Sequence, residues 1–214
     1  DFADPTGSSR VHARELDDSA RALLARTGAE RIDVVAHSMG GLATRLWLRE
    51  GGAGLTRRAV FMATPHRGTW SAYLAWGAGS EEMRPGSAFL DSLNAGPVVP
   101  DGVEALTIRT TLETHVLPPE SATLPGTPDV EVCCPTHTGL LRDLDVFLVV
   151  QRFLEEGVVL GGAGPPGVTG PAVASAGSAP GTAASARGGG EVDLLGQLQV
   201  LLREAAGVVG GEAD

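Results

Sequence analysis

The 214-residue sequence predicts an α/β fold, in which a mostly parallel sheet carries helices on its faces. Short apolar runs of strand length recur along the chain, and helical or loop segments long enough for crossover connections separate them. One of these runs, residues 32–35, leads into a sharp turn of small residues around Ser38 and then into a helical pattern. This alternation favours parallel pairing, because parallel neighbours need a long connection between them.

The composition limits the kinds of partner. Hydrophobic residues make up 43% of the chain and charged residues 20%, as expected of a globular domain with its own core. The net charge of −10 argues against nucleic acid and against anionic membrane surfaces as partners. No apolar run is long enough to span a membrane, so no integral membrane segment is expected. Neither a phosphate-binding glycine loop nor a metal-ligand spacing occurs, so the sequence predicts no cofactor and no metal.

The first part of the chain predicts a helix, a strand and a second helix. Residues 13–27 have an amphipathic helical pattern that ends at Gly28, a residue suited to the left-handed cap position. The apolar positions of this helix fall on one face: Leu16, Ala20, Leu23 and Leu24. Residues 32–35 predict a short buried strand, and a helix follows from Gly41 to about Glu50.

Three more strands and another helix are predicted downstream. The strands cover residues 58–62, 104–109 and 130–133, and the helix covers residues 144–156. Residues 68–100 interrupt this alternation and contain two of the three tryptophans. Two interpretations of this segment stay open: a cap or lid over an apolar pocket, and a helical excursion that packs on the sheet.

The composition changes after residue 157. Residues 1–157 are expected to form the α/β domain, and residues 158–190 are a Gly/Ala/Ser/Pro-rich stretch typical of a flexible linker. Residues 191–214 regain a helical period with an apolar face. That face contains Leu194, Leu195, Leu198, Leu201 and Leu202. The predicted helix either docks back onto the domain or contacts a partner.

Ser38 is the candidate nucleophile. It stands in residues 34–41, between an apolar run and a helical pattern, with Ala36 two residues before it and Gly40 two residues after it. This pattern is typical of a nucleophile elbow, where a strained strand-to-helix turn leaves no room for bulky flanking side chains. The N-terminus of the following helix then points its free N–H groups at the serine.

A serine nucleophile needs a histidine base, which in this architecture comes last along the chain. His137 lies four residues past Cys133, in a loop just before the final helix, and is the candidate base. The other histidines fit this order less well: His12, His37, His66 and His115. Within the elbow, the His37 side chain is expected to point away from the position of the nucleophile.

The base in turn needs an orienting carboxylate. Glu113 lies in the loop beyond the C-terminal end of the strand at residues 104–109, where catalytic groups collect in open α/β sheets. Glu120 and Asp129 are rival acids by position alone. A loop carboxylate is often merely solvated, so position does not choose among the three.

Four segments in this order resemble the bacterial lipases and esterases of the α/β-hydrolase fold. Residues 36–41 match the Ala-His-Ser-Met-Gly elbow, and residues 63–69 resemble the Gly-Thr-Pro-His-x-Gly-Thr stretch with alanine in place of the first glycine. Residues 113–122 resemble the Asp-x-x-Val-x-Pro-x-x-Ser-Ala acid loop, with glutamate at the aspartate position. Residues 136–141 resemble the Gly-His-x-Gly-Leu-Leu loop. The resemblance covers residues 1 to about 157.

The resemblance implies a role for each site residue. Ser38 is the nucleophile, His137 the base and Glu113 the acid, while the backbone N–H of Met39 is one oxyanion donor. In the family a second donor comes from a loop after an earlier strand, usually at a His-Gly pair, and this sequence has no such pair. We therefore expect a chain that lacks the first strands of the fold through N-terminal truncation.

The predicted reaction is the hydrolysis of carboxylic esters through an acyl-serine intermediate. The apolar residues within 68–100 favour a lipid or acylglycerol ester over a short-chain ester. Two alternatives stay open: an acyltransferase or thioesterase with the same triad, and a non-catalytic hydrolase-like module that binds a partner through residues 191–214. The sequence does not choose between a secreted and a cytoplasmic location.

Overall fold

A computed structural model of the chain describes residues 2–157 and 168–169. Among these residues, a five-stranded sheet forms the centre, and its strands follow one another in chain order. They are β1 (Ile32–His37), β2 (Thr56–Met62), β3 (Glu104–Leu112), β4 (Asp129–Thr136) and β5 (Val168–Thr169). The first four run parallel, and β5 pairs antiparallel with β4. The prediction of a mostly parallel sheet is confirmed.

Helices cover both faces of the sheet. In the described part of the chain they are α1 (Ser9–Thr27), α2 (Met39–Arg49), α3 (Ala78–Glu82), α4 (Ala88–Asn94) and α5 (Leu144–Glu156). Alternate residues of β2 enter different cores, because successive strand residues point to opposite faces. Ala59 and Phe61 pack with α1, α2 and α4, whereas Val60 and Met62 pack with α5. The two layers that the sequence pattern predicts are therefore present.

Helix α1 begins earlier than predicted and is capped at both ends. The Ser8 side chain accepts a hydrogen bond from the backbone N–H of Arg10, so the helix starts at Ser9 instead of residue 13. Gly28 takes the left-handed conformation at φ 70° and its N–H donates to the Leu24 carbonyl, as predicted. The predicted apolar face is wrong at Leu23, which is exposed.

Strand β1 is not the buried strand that the sequence predicts. It pairs with β2 along one edge, and within the described residues its other edge carries no strand. Val35 is 45% exposed as a result. The apolar run alone predicts a strand in the sheet, but the order of strands decides which one lies at the edge.

The ends of several strands and helices are set by pairing with a neighbouring strand or by capping residues. Strands β3 and β4 extend to Leu112 and Thr136, beyond their predicted ends, because each finds a parallel partner there. Helix α5 has the predicted bounds, Leu144–Glu156. The Asp143 side chain accepts the first free N–H groups of α5, and Gly157 takes the left-handed conformation after its last turn.

Residues 68–100 divide into two parts. Helix α4 packs Phe89, Leu90 and Leu93 into the core, as the helical-excursion interpretation predicts. A 3-10 turn at Trp70–Leu74 and the residues after it instead leave large apolar side chains in solvent. We call these the aromatic patch: Trp70, Tyr73, Leu74 and Trp76. The lid interpretation remains a prediction for this part.

Two of the sequence-based expectations concern residues that the structure mostly does not describe. The predicted linker at 158–190 lies outside the described residues except for β5, and the predicted helix at 191–214 lies wholly outside them. Among the described residues, no helix combines the length and the apolar character needed to cross a bilayer.

Candidate active site

The three predicted triad residues lie at the carboxyl-terminal edge of the sheet. Ser38 follows β1, Glu113 follows β3, and His137 follows β4. Because parallel strands bring their carboxyl ends to the same edge, three positions far apart in the chain share one side of the molecule. The fold thus supplies the placement that the sequence order predicts.

Ser38 stands in the strained conformation expected of a nucleophile elbow. Its φ is 53° and its ψ is −130°, between the end of β1 and the start of α2. Its N–H donates to the Met62 carbonyl at 2.9 Å, and its carbonyl accepts the Gly41 N–H at 3.0 Å. The strain is therefore held by hydrogen bonds on both sides of the serine.

The elbow is packed against the end of β2, which explains its small residues. A Cβ added to Gly41 would lie 2.0 Å from Thr64 Oγ1, so glycine is required there. Ala63 has a positive φ of 45°, and its N–H donates to the Ile108 carbonyl at 2.8 Å. The motif that residues 63–69 resemble has glycine at this position, and a left-handed backbone is a physical reason for glycine there.

Met39 is the first residue of α2. Its backbone N–H is therefore one of the helix donors that have no intrahelical acceptor, and it lies at the positive end of the helix dipole. Its side chain packs on α3, since a Cβ added to Gly79 would lie 2.5 Å from Met39 Sδ. Met39, the predicted oxyanion donor, thus has its side chain in a contact with α3 and its main-chain N–H next to Ser38.

Glu113 and His137 form a buried pair. His137 Nδ1 lies 3.0 Å from both carboxylate oxygens of Glu113, and the two side chains are 5% and 1% exposed. Glu113 Oε1 also accepts the backbone N–H groups of Thr114, His115 and Val116 at 2.8, 2.7 and 3.1 Å. Because the ionised carboxylate only accepts, Nδ1 carries the proton and Nε2 keeps its lone pair.

The environment of Glu113 favours its charged form. Burial raises the pKa of this carboxyl, but hydrogen bonds from His137 and from the backbone N–H groups of His115 and Val116 outweigh burial. The net effect lowers the pKa of Glu113 below its usual value. The carboxylate is thus ionised at neutral pH and suited to orient an imidazole.

Two histidines that the sequence ranked below His137 both contact it. His37 Nε2–H donates to the His137 carbonyl at 2.9 Å, and the two rings lie 4.6 Å apart. The ring of His115 stacks on that of His137 at 4.5 Å. Burial, with the neighbouring histidines, lowers the pKa of His37 and so favours its neutral form. The spacing of His37, His115 and His137 along the sequence does not predict these contacts.

The remaining candidate histidines and acids have other surroundings. His12 Nε2 lies 2.7 Å from the Asp4 carbonyl oxygen, and His66 is buried edge-on against Phe61. Among the rival acids, the Asp129 carboxylate pairs with Arg109 at 2.8 Å. Glu120, the other rival, lies exposed in the turn Pro119–Ala122. Of the three candidate acids, Glu113 is the one whose carboxylate contacts His137.

The site is more open around Ser38 than around Glu113. Within the described residues, Ser38 Oγ forms no hydrogen bond with His137, although both lie at the same sheet edge. A cavity of about 1110 Å³ extends from Ser38 and Met39 along the free edge of β1. Its walls also include Phe2, Leu16 and Val35. Catalytic hydrogen bonds of unliganded enzymes are often long and shorten only around a substrate.

Comparisons with known proteins identify the fold. The structure is similar to that of Aspergillus fumigatus lipase B, with a TM-score of 0.64 and 18% sequence identity. The match covers 76% of this chain and 44% of the lipase chain. It is also similar to the mature form of Bacillus licheniformis lipase BlEst2, with a TM-score of 0.57 and 13% sequence identity. That match covers 71% of this chain and 75% of the BlEst2 chain. The fold is that of the α/β-hydrolases.

Other comparisons give no match or a match to only part of the known protein. No family model matches the chain, and no curated protein matches it. The match to Legionella pneumophila phospholipase PlaB spans 50% of this chain and 27% of that one, at 21% identity and a TM-score of 0.45. The chain spans less than half the length of this phospholipase and of the fungal lipase.

Proposed function

We propose that this protein is a serine hydrolase that cleaves carboxylic esters through an acyl-serine intermediate. The observation that carries the proposal is the buried pair of Glu113 and His137, together with a strained serine at the same sheet edge. A buried carboxylate that accepts three backbone N–H groups and also an imidazole is an arrangement suited to orienting a base. The hydrolase fold of the structural neighbours supports the same function.

The proposed reaction has two halves. Ser38 Oγ attacks the ester carbonyl as His137 Nε2 takes its proton, and the Met39 N–H stabilises the oxyanion. His137 then returns the proton to the leaving alcohol, which leaves an acyl group on Ser38. Water attacks this acyl-enzyme with its proton passing to His137, and the acid departs as Ser38 regains a proton. Glu113 stays ionised and stabilises the imidazolium in each half.

The surroundings of the acid loop favour a fatty-acyl ester as substrate. Thr69 Oγ1 donates to the His115 carbonyl at 2.7 Å, and the Trp70 N–H donates to the Leu117 carbonyl at 2.9 Å. The aromatic patch is therefore attached to the loop that holds Glu113. Exposed tryptophan and tyrosine side chains bind apolar chains while tolerating water at their edges. We propose a lipid or acylglycerol ester in preference to a short-chain ester.

Two alternatives predict different results. An acyltransferase or thioesterase would form the same acyl-serine, but would pass the acyl group to an alcohol or act on a thioester in preference to an oxygen ester. A non-catalytic module that binds a partner through residues 191–214 would lose nothing when Ser38 is replaced. The buried acid–base pair argues against the second alternative, because burying these groups is costly without a function for them.

The test is hydrolysis of p-nitrophenyl butyrate and p-nitrophenyl palmitate by the full chain and its Ser38→Ala variant. We expect turnover that falls by about 10⁴-fold or more in S38A, as for removal of other serine nucleophiles. The matched control is Ser92→Ala, which removes an exposed serine hydroxyl on α4, outside the proposed triad. Equal rates for S38A and the wild-type chain would contradict the proposal, and the palmitate-to-butyrate ratio tests the substrate class.

A further inference from the structure

His115, in the same loop as Glu113, adds a third possible metal ligand to the pair of Glu113 and His137. One nitrogen each from His115 and His137 and one carboxylate oxygen of Glu113 lie within 4.8 Å of one another. Two imidazoles and a carboxylate are donors that suit Zn²⁺. We propose that these three residues form an inhibitory Zn²⁺ site built over the acid–base pair. The inhibition, though not the binding, rests on the proposed function above.

The spacing of two of the donors already approaches that of a zinc site. With metal–ligand bonds of about 2.0–2.2 Å, two ligands of a tetrahedral zinc lie roughly 3.3–3.5 Å apart. His137 Nδ1 and the Glu113 oxygens are 3.0 Å apart, with a proton between them in the metal-free state. A zinc ion in place of this proton requires these two side chains to separate by only a few tenths of an ångström.

His115 supplies the third ligand through a short rotation. Its ring nitrogen lies within 4.8 Å of the other two donor atoms, so reaching the spacing of two zinc ligands takes an inward movement of about 1.5 Å at most. The ring can make this movement because His115 is exposed, and its contacts are stacking on His137 at 4.5 Å and the exposed Thr114 hydroxyl at 3.1 Å. His37 is not a ligand, since its Nε2–H donates to the His137 carbonyl. Three protein ligands leave the fourth position to water.

Zinc at Nδ1 removes the base from the proposed reaction. In the metal-free pair the single proton of the neutral imidazole is on Nδ1, and the Nε2 lone pair accepts the serine proton. Metal binding uses the Nδ1 lone pair, so that proton shifts through solvent to Nε2 and the ring stays neutral. Nε2 then has no lone pair for Ser38. The carboxylate of Glu113 is also committed to the metal instead of to the imidazole.

Binding is tested first without any activity measurement. The untagged full chain carrying Ser38→Ala is titrated with ZnCl₂ by calorimetry, and with Co²⁺ by visible absorption. We expect one ion bound per chain, and an affinity at least about tenfold weaker when His115→Gln removes one ligand. Glu120→Gln is the matched control, because it removes an exposed carboxylate from the same loop and leaves the three ligands in place. Binding that is absent, or unchanged by H115Q, would overturn the proposal.

Inhibition is then measured in the active chain. Each variant's hydrolysis rate in Zn²⁺ is divided by its own rate in EDTA, so that altered basal rates do not enter. We expect Zn²⁺ to suppress the wild-type and E120Q rates reversibly, and H115Q to need at least about tenfold more Zn²⁺. If Ser38-dependent turnover is absent, the proposed function fails while the binding titration still tests the site. Zinc that binds through His115 without lowering turnover would refute the inhibitory role.

Discussion

The two sides of His137 are built differently. On the Nδ1 side, Glu113 is almost fully buried and has hydrogen bonds to His137 and to three backbone N–H groups. Ser38, by contrast, is half-buried, borders a large open cavity and, among the described residues, forms no hydrogen bond with His137. The Glu113–His137 pair is thus fixed by hydrogen bonds, whereas the alignment of Ser38 with His137 is left to other contacts.

The difference follows from where the strands lie. Glu113 and His137 follow β3 and β4, which pair with each other and have strand partners on both sides within the described chain. Ser38 follows β1, which has a strand partner on one side there. A loop between two paired strands has fewer ways to move than a turn at an edge. We expect the serine side of the site to be more sensitive to its surroundings than the acid side.

Replacing Glu113 should have the largest effect on the acid side. Glu113→Gln keeps the shape but presents a neutral group that no longer stabilises the imidazolium or fixes the tautomer. We expect kcat to fall on the order of 10⁴-fold with a smaller change in KM. Glu120→Gln, a rival acid by position, should leave kcat unchanged. Steady-state kinetics of the two variants would contradict the assignment if E120Q were the slower enzyme.

His37 should matter less, because it acts through the backbone of His137. His37→Phe keeps a ring but removes the donor to the His137 carbonyl, which lets the catalytic loop shift relative to the elbow. A lost hydrogen bond of about 0.5–1.5 kcal/mol corresponds to roughly a 2- to 12-fold fall in kcat. His37→Gln retains an N–H donor and should recover most of this loss. If both variants have the wild-type kcat, His37 does not position His137.

The aromatic patch should affect substrate preference and not stability. Trp76 is 90% exposed, so Trp76→Ser should change the free energy of unfolding by no more than about 0.5 kcal/mol. It should lower the rate on p-nitrophenyl palmitate relative to butyrate by a few-fold, because a long acyl chain loses an apolar contact. Val11→Ser, on the exposed surface of α1, is the matched control. Equal palmitate-to-butyrate rate ratios in W76S and the wild type would show that the aromatic patch does not contact the substrate.

The smallest expected effect is on stability in acid. The pKa of Glu113 is lower in the folded chain than its ordinary 4.5, so the folded state binds this proton less readily than the unfolded state does. The stabilisation is therefore complete above about pH 4.5 and is lost as the pH falls through the lowered pKa. Urea unfolding of Glu113→Gln should show a shallower loss of stability below pH 4.5 than the wild type. Parallel curves would contradict the lowered pKa.

Short stretches of the sequence suffice to predict several helices, strands and turns of this fold. The turn around Ser38 requires small residues because Gly41 touches Thr64, and that requirement is visible in the sequence. Helix α5 could be predicted residue by residue because Asp143 and Gly157 cap it locally. The placement of Glu113 and His137 beyond their strands follows from the rule for parallel sheets.

Contacts between distant segments could not be predicted in the same way. The hydrogen bond from His37 to His137 joins residues 100 positions apart, and neither local pattern indicates it. The cluster of His115 with the acid–base pair is hidden for the same reason, since metal-ligand motifs are recognised by short spacings. The exposure of Val35 depends on strand order, which an apolar run does not encode.

The most direct test of the account is to locate the acyl group. The full chain is mixed with p-nitrophenyl butyrate, quenched in acid within the first turnover, digested and measured by mass spectrometry. The account predicts one butyryl group on the peptide that contains Ser38, and none on this peptide in His137→Ala. A butyryl group on another residue, or burst release of p-nitrophenol with an unmodified Ser38, would contradict the claim that Ser38 is the nucleophile activated by His137 and Glu113.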